Sequence, residues 1–276
     1  MTDSERDLPA SLDPATVAEI DARLAAVEAE HGVKIAFAIE SGSRAWGFAS
    51  PDSDYDCRFV YLRPERDYLA LYPKRDVIET PLTPVLDVNG WDLTKALKLL
   101  VGGNAVIVEW LTSPIVYRAL PGFRQDFLAL ARRIADRGAM FRHYLHMAHG
   151  QKARFLPDPD QAPIKKIFYV LRPALCLRWL RLHPDAPLAP MHFPTLCDGV
   201  GLPANLSTEI AELLERKVVT RELGHGSVPP LIRDVIDQEL ALGEAEPPPV
   251  EIDKTTRRAA AEAFFLDVLA RQGGFR

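Results

Sequence analysis

The chain has 276 residues, of which 47% are hydrophobic and 26% are charged, and its formal net charge is −5 at pH 7. The length and apolar fraction are enough for two domains and exclude a chain that is disordered throughout, while the negative charge argues against a generally basic coat for nucleic acid. The apolar runs are far shorter than the ~20 residues of a membrane helix and residues 1–24 are too acidic for a signal peptide, so we expect no membrane association and a cytoplasmic location.

The N-terminal part of the chain alternates between helical and strand patterns. Residues 12–32 have apolar residues at helical spacing, and they predict a helix that begins at an Asp13-Pro14 cap and ends at Gly32. Short runs rich in apolar and β-branched residues then predict strands. These runs are "VKIAFAIE" (33–40), "YDCRFVYL" (55–62) and "TPVLDVNG" (83–90), the last one ended by Asn89-Gly90.

Helices follow these strands through the rest of the chain. Asp92 is predicted to cap the helix "DLTKALKLLVGG", and Asn104 to start the helix "NAVIVEWL". From Pro121 onward, long segments with helical spacing alternate with proline-rich breaks. We therefore predict a small α/β domain over residues 1–118 and a mainly helical domain over residues 119–276.

The segment "ESGSRAWGFASPDSDYDCRF" (residues 40–59) carries the clearest chemical signal. Asp54 and Asp56 stand two residues apart at the mouth of a predicted strand, so they project to one side with their Cα atoms about 6.6 Å apart. Two carboxylates this close repel each other unless a cation lies between them, and oxygen ligands suit Mg²⁺ or Mn²⁺. Upstream, Gly42 lets backbone N–H groups approach a phosphate, and the Ser43 hydroxyl can donate to it.

A third carboxylate would complete a site for two metal ions ~3.5–4 Å apart that supports an in-line phosphoryl displacement. Asp87 is the best candidate, because it is a charged residue between Leu86 and Val88 on a predicted strand. Asp92 is the alternative, although its place before "LTKALKLL" favours an N-cap. A Gly-Ser dipeptide or an "SPDSD" turn alone indicates little. The full spacing of Gly-Ser, ten residues and Asp-x-Asp entering an apolar strand indicates a catalytic site.

The segment "IKKIFYVLRPALCLRWL" (164–180) supplies a second candidate binding element. Lys165, Tyr169 and Arg172 recur at i, i+4 and i+7, so they form one polar stripe on an otherwise apolar helix. Cations and an aromatic ring on one face suit a triphosphate and a base, and Lys166 and Arg44 are further candidates for nucleotide binding. The alternative is an interdomain helix whose stripe pairs with acidic residues.

The middle of the chain is locally basic. Residues 128–182 contain eleven Lys or Arg against three Asp, a balance of +8. This asymmetry favours a partner that carries phosphates, and a continuous arginine stripe leading to Asp54 would favour a polynucleotide. The alternative is a solvated helical face.

The stretch "FAIESGSRAWGFASPDSDYDCRFV" (37–60) resembles the nucleotidyltransferase superfamily with a DNA-polymerase-beta-like palm. The signature of that superfamily is an apolar strand, Gly-Ser, a short helical turn and Asp-x-Asp on the next strand. The chain is similar above all to the predicted nucleotidyltransferases associated with RNA-repair pathways, in segments that cover most of residues 36–182. The resemblance implies an α/β (α+β) fold in which a palm with a mixed sheet precedes a mainly helical C-terminal domain.

The resemblance also implies roles for the residues of the motif. Asp54, Asp56 and Asp87 would bind the metal ions, and Asp87 would help to deprotonate the acceptor hydroxyl. Gly42 and Ser43 would hold the triphosphate. The sequence departs from the family pattern at "GNA" (103–105), where Gly/Ser-Asn-Pro is expected, but this position starts a helix and lies outside the chemistry.

The implied reaction is attack of an acceptor hydroxyl on the α-phosphate of a nucleoside triphosphate, with pyrophosphate as the leaving group. We expect the acceptor to be an RNA or tRNA 3′ end. Transfer of the nucleotide to a hydroxyl of a protein or a small molecule is the first alternative. A catalytically silent palm that only binds nucleotide or RNA is the second.

Overall fold

The computed structural model describes residues 5–186, 188–219, 224–245 and 253–271. Within these ranges a six-stranded sheet is surrounded by helices, and two further residue pairs form a small second sheet. No helix in this part of the chain combines the length and the hydrophobicity that crossing a bilayer requires. The strands are β1 (Glu5–Asp7), β2 (Lys34–Ser41), β3 (Tyr55–Leu62), β4 (Val77–Glu79), β5 (Leu86–Asp92), β6 (Val116–Ala119), β7 (Ala162–Pro163) and β8 (His225–Gly226).

The order of the large sheet is β1-β6-β2-β3-β5-β4, and its mixed character comes from one pair. β3 and β5 run parallel, while the other neighbours in the sheet run antiparallel. The helices are α1 (Pro14–His31), α2 (Gly42–Ala45), α3 (Glu65–Tyr68), α4 (Leu93–Val101), α5 (Ala105–Thr112), α6 (Phe123–Ile134), α7 (Arg137–Phe155), α8 (Ile167–Leu182), α9 (Phe193–Gly199), α10 (Ala204–Val219), α11 (Pro230–Ala245) and α12 (Lys254–Arg271). The predicted α/β class is confirmed.

The predicted caps of the first helix are confirmed. The Asp13 carboxylate accepts a hydrogen bond from the backbone N–H of Thr16 at 3.0 Å, which satisfies one of the free donors at the start of α1. At the other end Gly32 has a φ of 60°, a left-handed conformation that glycine adopts without steric cost.

The predicted end of the third strand at Asn89-Gly90 is wrong, because β5 continues to Asp92. Gly90 lies opposite Phe59 of β3, and a Cβ atom at position 90 would stand 2.2 Å from the Phe59 ring. Gly90 therefore makes room for a buried aromatic ring inside the sheet and does not form a turn. Strands β1, β4 and β6 were not predicted, since each has only three or four residues.

The cores do not divide at the predicted boundary of residue 118. One apolar cluster joins one face of the sheet to α4, α5, α6 and α12. Two of these helices, α6 and α12, lie beyond residue 118, yet they cover the same face as α4 and α5. A second cluster lies between the other face and α1. The third cluster is centred on α7 to α11, and Phe48 from the loop before β3 is buried in it. The helical part thus begins at α7, and Phe48 links it to the sheet.

We predict that Gly90→Ala lowers the free energy of unfolding by about 1–3 kcal/mol, because the new methyl group would overlap the Phe59 ring. The matched control is Gly150→Ala on the exposed side of α7, where a Cβ atom would meet nothing within 4 Å. This control should raise stability by roughly 0.5–1 kcal/mol. Urea unfolding followed by circular dichroism measures both changes, and equal effects of the two substitutions would contradict the role assigned to Gly90.

Candidate active site

The Gly-Ser turn lies directly against one of the carboxylates. Gly42 begins the short helix α2 at the end of β2, and its φ is 70°. A Cβ atom at position 42 would stand 2.3 Å from Oδ2 of Asp56. Only glycine therefore permits both this backbone conformation and this approach of the turn to the carboxylate.

Parallel pairing brings the predicted carboxylates of two strands side by side. Asp56 and Asp87 are register partners in the β3–β5 pair, and both side chains are partly exposed. Asp54 lies two residues before Asp56, just outside β3, and is exposed. The guanidinium of Arg58, two residues further along β3, donates from Nη2 to Oδ1 of Asp56 at 3.0 Å and to Oδ2 of Asp87 at 2.8 Å.

The alternative third carboxylate has a structural role. Asp92 accepts from the N–H of Thr94 at 2.8 Å and so caps α4, as its sequence position predicted. Its other oxygen pairs with Arg63 at 3.3 Å, and the residue is buried. The geometry therefore favours Asp87 as the third carboxylate beside Asp54 and Asp56.

The electrostatics of the carboxylates suit a cation. Burial raises the pKa of Asp56, the charge of Arg58 opposes that rise, and the charges of Asp54 and Asp87 add to it. Among the residues that the structure describes, no three His, Cys, Asp or Glu side chains are gathered in the geometry of a metal site. Carboxylate oxygens are the donors that Mg²⁺ or Mn²⁺ prefers, and binding of such an ion at this site remains a prediction.

Ser43 and Arg44 hold the loop that leads to Asp54. The Ser43 hydroxyl donates to Oγ of Ser53 at 3.0 Å. The Arg44 guanidinium donates to the carbonyl oxygens of Ser53 at 2.6 Å and Asp54 at 3.1 Å, and it lies 3.8 Å from the centroid of the Tyr55 ring. The predicted contacts of both residues with a triphosphate remain predictions.

The start of the predicted binding helix reaches the same loop. Lys165 pairs with Asp52 at 2.7 Å, and the ammonium of Lys166 lies 4.4 Å above the Tyr169 ring. Burial raises the pKa of Tyr169 to about 12, and the charges of Asp54 and Asp56 contribute to the rise. The structure therefore brings Tyr169 into the electrostatic field of the carboxylates, while nucleotide contacts of these three residues remain predictions.

Arg172 does not lie where it could contact the phosphates of a nucleotide, the role predicted for it. Its side chain is buried, pairs with the buried Glu109 of α5 at 2.7 Å, and stacks 4.7 Å from the Trp46 ring. The guanidinium thus has no face open to a phosphate, and it joins α8 to α5. For this residue the structure matches the alternative of an interdomain helix that pairs with acidic side chains.

The cations of the basic middle segment are divided between paired side chains and exposed ones. Five of its eleven Lys and Arg side chains pair with carboxylates and a sixth donates to backbone carbonyls, so these six are not free to line a path to Asp54. Their partners are Asp237 for Lys152, Asp52 for Lys165, Glu109 for Arg172, Glu239 for Arg178 and Arg181, and backbone carbonyls for Arg137.

Glu40 holds the backbone of Asp56 in place, a role that was not predicted from the sequence. It is fully buried at the end of β2, where it accepts from the backbone N–H of Asp56 at 2.9 Å and from the Tyr117 hydroxyl at 2.5 Å. Burial raises its pKa to about 8 although both oxygens accept hydrogen bonds. Its position at the end of an apolar strand gave no sign of these partners.

Lys217 is a second buried charge that the sequence did not single out. Its ammonium contacts the carbonyl oxygen of Phe48 and lies 4.8 Å from the Phe48 ring, so α10 is tied to the loop before β3. Burial lowers the pKa of Lys217 to about 8, and the charges of Lys165 and Lys166 contribute.

We predict that the free energy of unfolding falls as the pH rises from about 5 to 8. The pKa of Glu40 is higher in the folded state than in the unfolded chain, so in this range the folded state holds a proton that the unfolded chain releases. The slope contributed by Glu40 is up to about 1.4 kcal/mol per pH unit.

Glu40→Gln should remove this slope, whereas Glu262→Gln, on the exposed side of α12, should leave it unchanged. Chemical unfolding at a series of pH values measures the pH dependence of the free energy of unfolding in each variant. Parallel stability curves for the wild type and Glu40→Gln would show that Glu40 does not titrate in this range.

Comparison with known proteins supports the resemblance. The sequence model of the RNA repair pathway DNA polymerase beta family matches residues 17–267. The uncharacterized protein YcgL of Bacillus subtilis (strain 168) is 39% identical over 214 residues, which cover 78% of this chain and 81% of that protein. The crystal structure of a nucleotidyltransferase-like protein from Exiguobacterium sibiricum 255-15 aligns with 91% of this chain and 80% of its own at 9% identity, but its TM-score of 0.31 is too low to carry an argument. Because the family model spans most of the sequence, the chain belongs to the RNA repair pathway DNA polymerase beta family.

Proposed function

We propose that the chain is a metal-dependent nucleotidyltransferase that transfers a nucleoside monophosphate from a nucleoside triphosphate to a hydroxyl at an RNA 3′ end and releases pyrophosphate. The observation that carries this proposal is the pairing of Asp56 with Asp87 across parallel strands, with Asp54 and the Gly42 turn beside them. Membership of a polymerase beta family linked to RNA repair agrees with it.

Each residue of the site would have its own role in the reaction. Asp54, Asp56 and Asp87 would hold Mg²⁺ or Mn²⁺, which when bound neutralises phosphate charge and favours ionisation of the attacking hydroxyl. Asp87 would accept the proton of that hydroxyl. Backbone N–H groups of the turn at Gly42 and Ser43 would bind the triphosphate, because no side chain at position 42 blocks their approach. Such a reaction depends on positioning and charge neutralisation and needs no covalent nucleophile.

The helical part would complete the nucleotide site from the other side. Trp46 follows the Gly-Ser turn and meets the Tyr169 ring edge to face, with the ring centroids 5.5 Å apart. This contact fixes the start of α8 against the turn. We propose that Tyr169 and Lys166 line the nucleotide side of the cleft, with Lys165 and Arg44 near the phosphates.

Unpaired surface cations support an RNA acceptor. Lys98, Arg142, Lys254 and Arg258 are exposed, and they form no hydrogen bond or ion pair with any residue that the structure describes. They line two adjoining grooves between α4, α7 and α12 that share Lys98 and Gly102. Unpaired cations grouped in grooves of a protein with net charge −5 favour a polyanionic partner over a small neutral acceptor.

The decisive experiment incubates the protein with Mg²⁺ or Mn²⁺, each α-labelled nucleoside triphosphate and total cellular RNA. The control is the double variant Asp54→Ala/Asp56→Ala. Label that enters RNA with the wild type alone would support the proposal and reveal the preferred base. Label on protein or on a small molecule would replace RNA by that acceptor, and binding of nucleotide without any transfer would favour a silent palm.

We predict that Gly42→Ala lowers kcat/KM about 100-fold, because a methyl group at this position would push the turn away from Asp56. Gly122→Ala is the matched control, since its φ is 71° and a Cβ atom there would meet nothing within 4 Å. The control carries a similar backbone strain without the collision, so it should keep most of the activity. Equal losses in both variants would assign the effect to backbone strain alone.

We also predict that Lys98→Glu/Arg258→Glu weakens RNA binding at least about 10-fold and reduces its salt dependence by the equivalent of about two phosphate contacts. Fluorescence anisotropy with labelled RNA at several salt concentrations measures both effects. The control Arg132→Glu/Arg216→Glu makes the same change in charge at exposed positions on α6 and α10. An equal loss in the control would mean that net charge, and not the grooves, governs RNA binding.

A further inference from the structure

The guanidinium of Arg58 occupies the place between two of the carboxylates. Besides its contacts with Asp56 and Asp87, Nη1 donates to the carbonyl oxygens of Asp87 at 3.0 Å and of Cys57 at 3.1 Å. The side chain is 16% exposed, so solvent screens these contacts only in part. Arg58 is therefore held at four points along the mouth of the β3–β5 pair.

The arrangement divides the oxygens of each carboxylate. Asp56 turns Oδ1 to Arg58 and Oδ2 to the Gly42 turn. Asp87 turns Oδ2 to Arg58, while its Oδ1 accepts from the amide of Asn89 at 3.2 Å. One oxygen of each carboxylate thus faces a positive charge that belongs to the chain itself.

Two acidic partners do not by themselves give an arginine a functional role, since Arg271 on the surface also pairs with two aspartates. Arg58 instead links the two carboxylates that the proposed chemistry requires together. Without it they would stand side by side with uncompensated negative charge, which is unfavourable in a partly buried site.

We propose that Arg58 is a built-in counter-ion that holds Asp56 and Asp87 in place before a divalent metal ion binds and competes with that ion for these two carboxylates. This inference rests on the proposed function, because it takes these carboxylates as metal ligands. Arg58 sets how much free metal ion the site needs. It also prevents the repulsion between Asp56 and Asp87 from disrupting the site when no metal ion is bound.

The test is direct binding of Mn²⁺, measured by titration calorimetry in the absence of nucleotide and acceptor, for the wild type, Arg58→Gln and Arg58→Lys. Arg58→Gln should bind Mn²⁺ about 10-fold more tightly, because the competing charge is gone. Its Tm without metal should fall below that of the wild type, and Mn²⁺ should raise its Tm by more. Arg58→Lys keeps the charge but lacks the planar fork, so its Mn²⁺ affinity should stay close to the wild-type value.

Two controls make the result specific. Arg23→Gln removes a surface pair with Glu19 on α1 and should leave Mn²⁺ binding unchanged. Asp87→Asn removes a proposed ligand and should weaken binding. Circular dichroism establishes that each variant is folded, and if Arg58→Gln does not fold, the comparison of Arg58→Ala with Arg58→Lys answers the same question.

The outcomes separate this inference from the proposed function. If the wild type binds Mn²⁺ and Asp87→Asn weakens it, but Arg58→Gln binds equally or more weakly, the counter-ion proposal is overturned and the proposed function stands. If the wild type binds no Mn²⁺, or binds it equally well as Asp87→Asn and Asp54→Ala/Asp56→Ala, both are overturned.

Discussion

The parallel pairing of β3 with β5 is the constraint on which the acidic site depends. In this register Asp56 lies opposite Asp87, and the residues of β5 alternate between buried Leu86, Val88 and Gly90 and partly exposed neighbours. A slip of one residue would turn Asp87 toward the apolar core and move the buried side chains to the surface, so hydrophobic alternation itself fixes the place of the carboxylate. Gly90 belongs to the same constraint, because it admits Phe59 at that register.

Some charged side chains inside the molecule hold its helices together and are not part of the acidic site. The Arg172–Glu109 pair is buried where α8 meets α5, and removing one partner would leave the other charge uncompensated, a change that typically costs about 3–5 kcal/mol. The Lys165–Asp52 pair is more exposed and contributes less. The first pair holds α8 against α5, and the second holds Lys165, just before α8, against the loop that leads to Asp54. Five of the eleven cations in residues 128–182 thus pair with carboxylates of the chain itself.

The sequence allowed the parts of the fold with strong periodicity to be predicted. The bounds of α1 and β3 followed from apolar spacing and capping residues, and the Asp-x-Asp motif followed from its distance to Gly-Ser. Strands of three or four residues carry too few side chains for a recognisable pattern. Periodicity shows which side chains share a face of an element, but it does not show what that face meets. For this reason Arg172 was expected to meet a phosphate, while the partners of Arg58 and Glu40 became visible only with the strand register.

Phe48 lies 169 residues before Lys217 in the chain, yet the two are in contact, and Phe48 is buried among α8 and α9. During synthesis the strands that carry the carboxylates leave the ribosome long before these helices do. The loop before Asp54 then gains its final anchor only when α10 has been made. A chain that stops short of α10 would keep the contacts of Ser43 and Arg44 within the loop but would lack the contact between Phe48 and Lys217. A stop codon before Lys217 would therefore yield a protein in which the loop that carries Phe48 is not tied to α10 of the helical part.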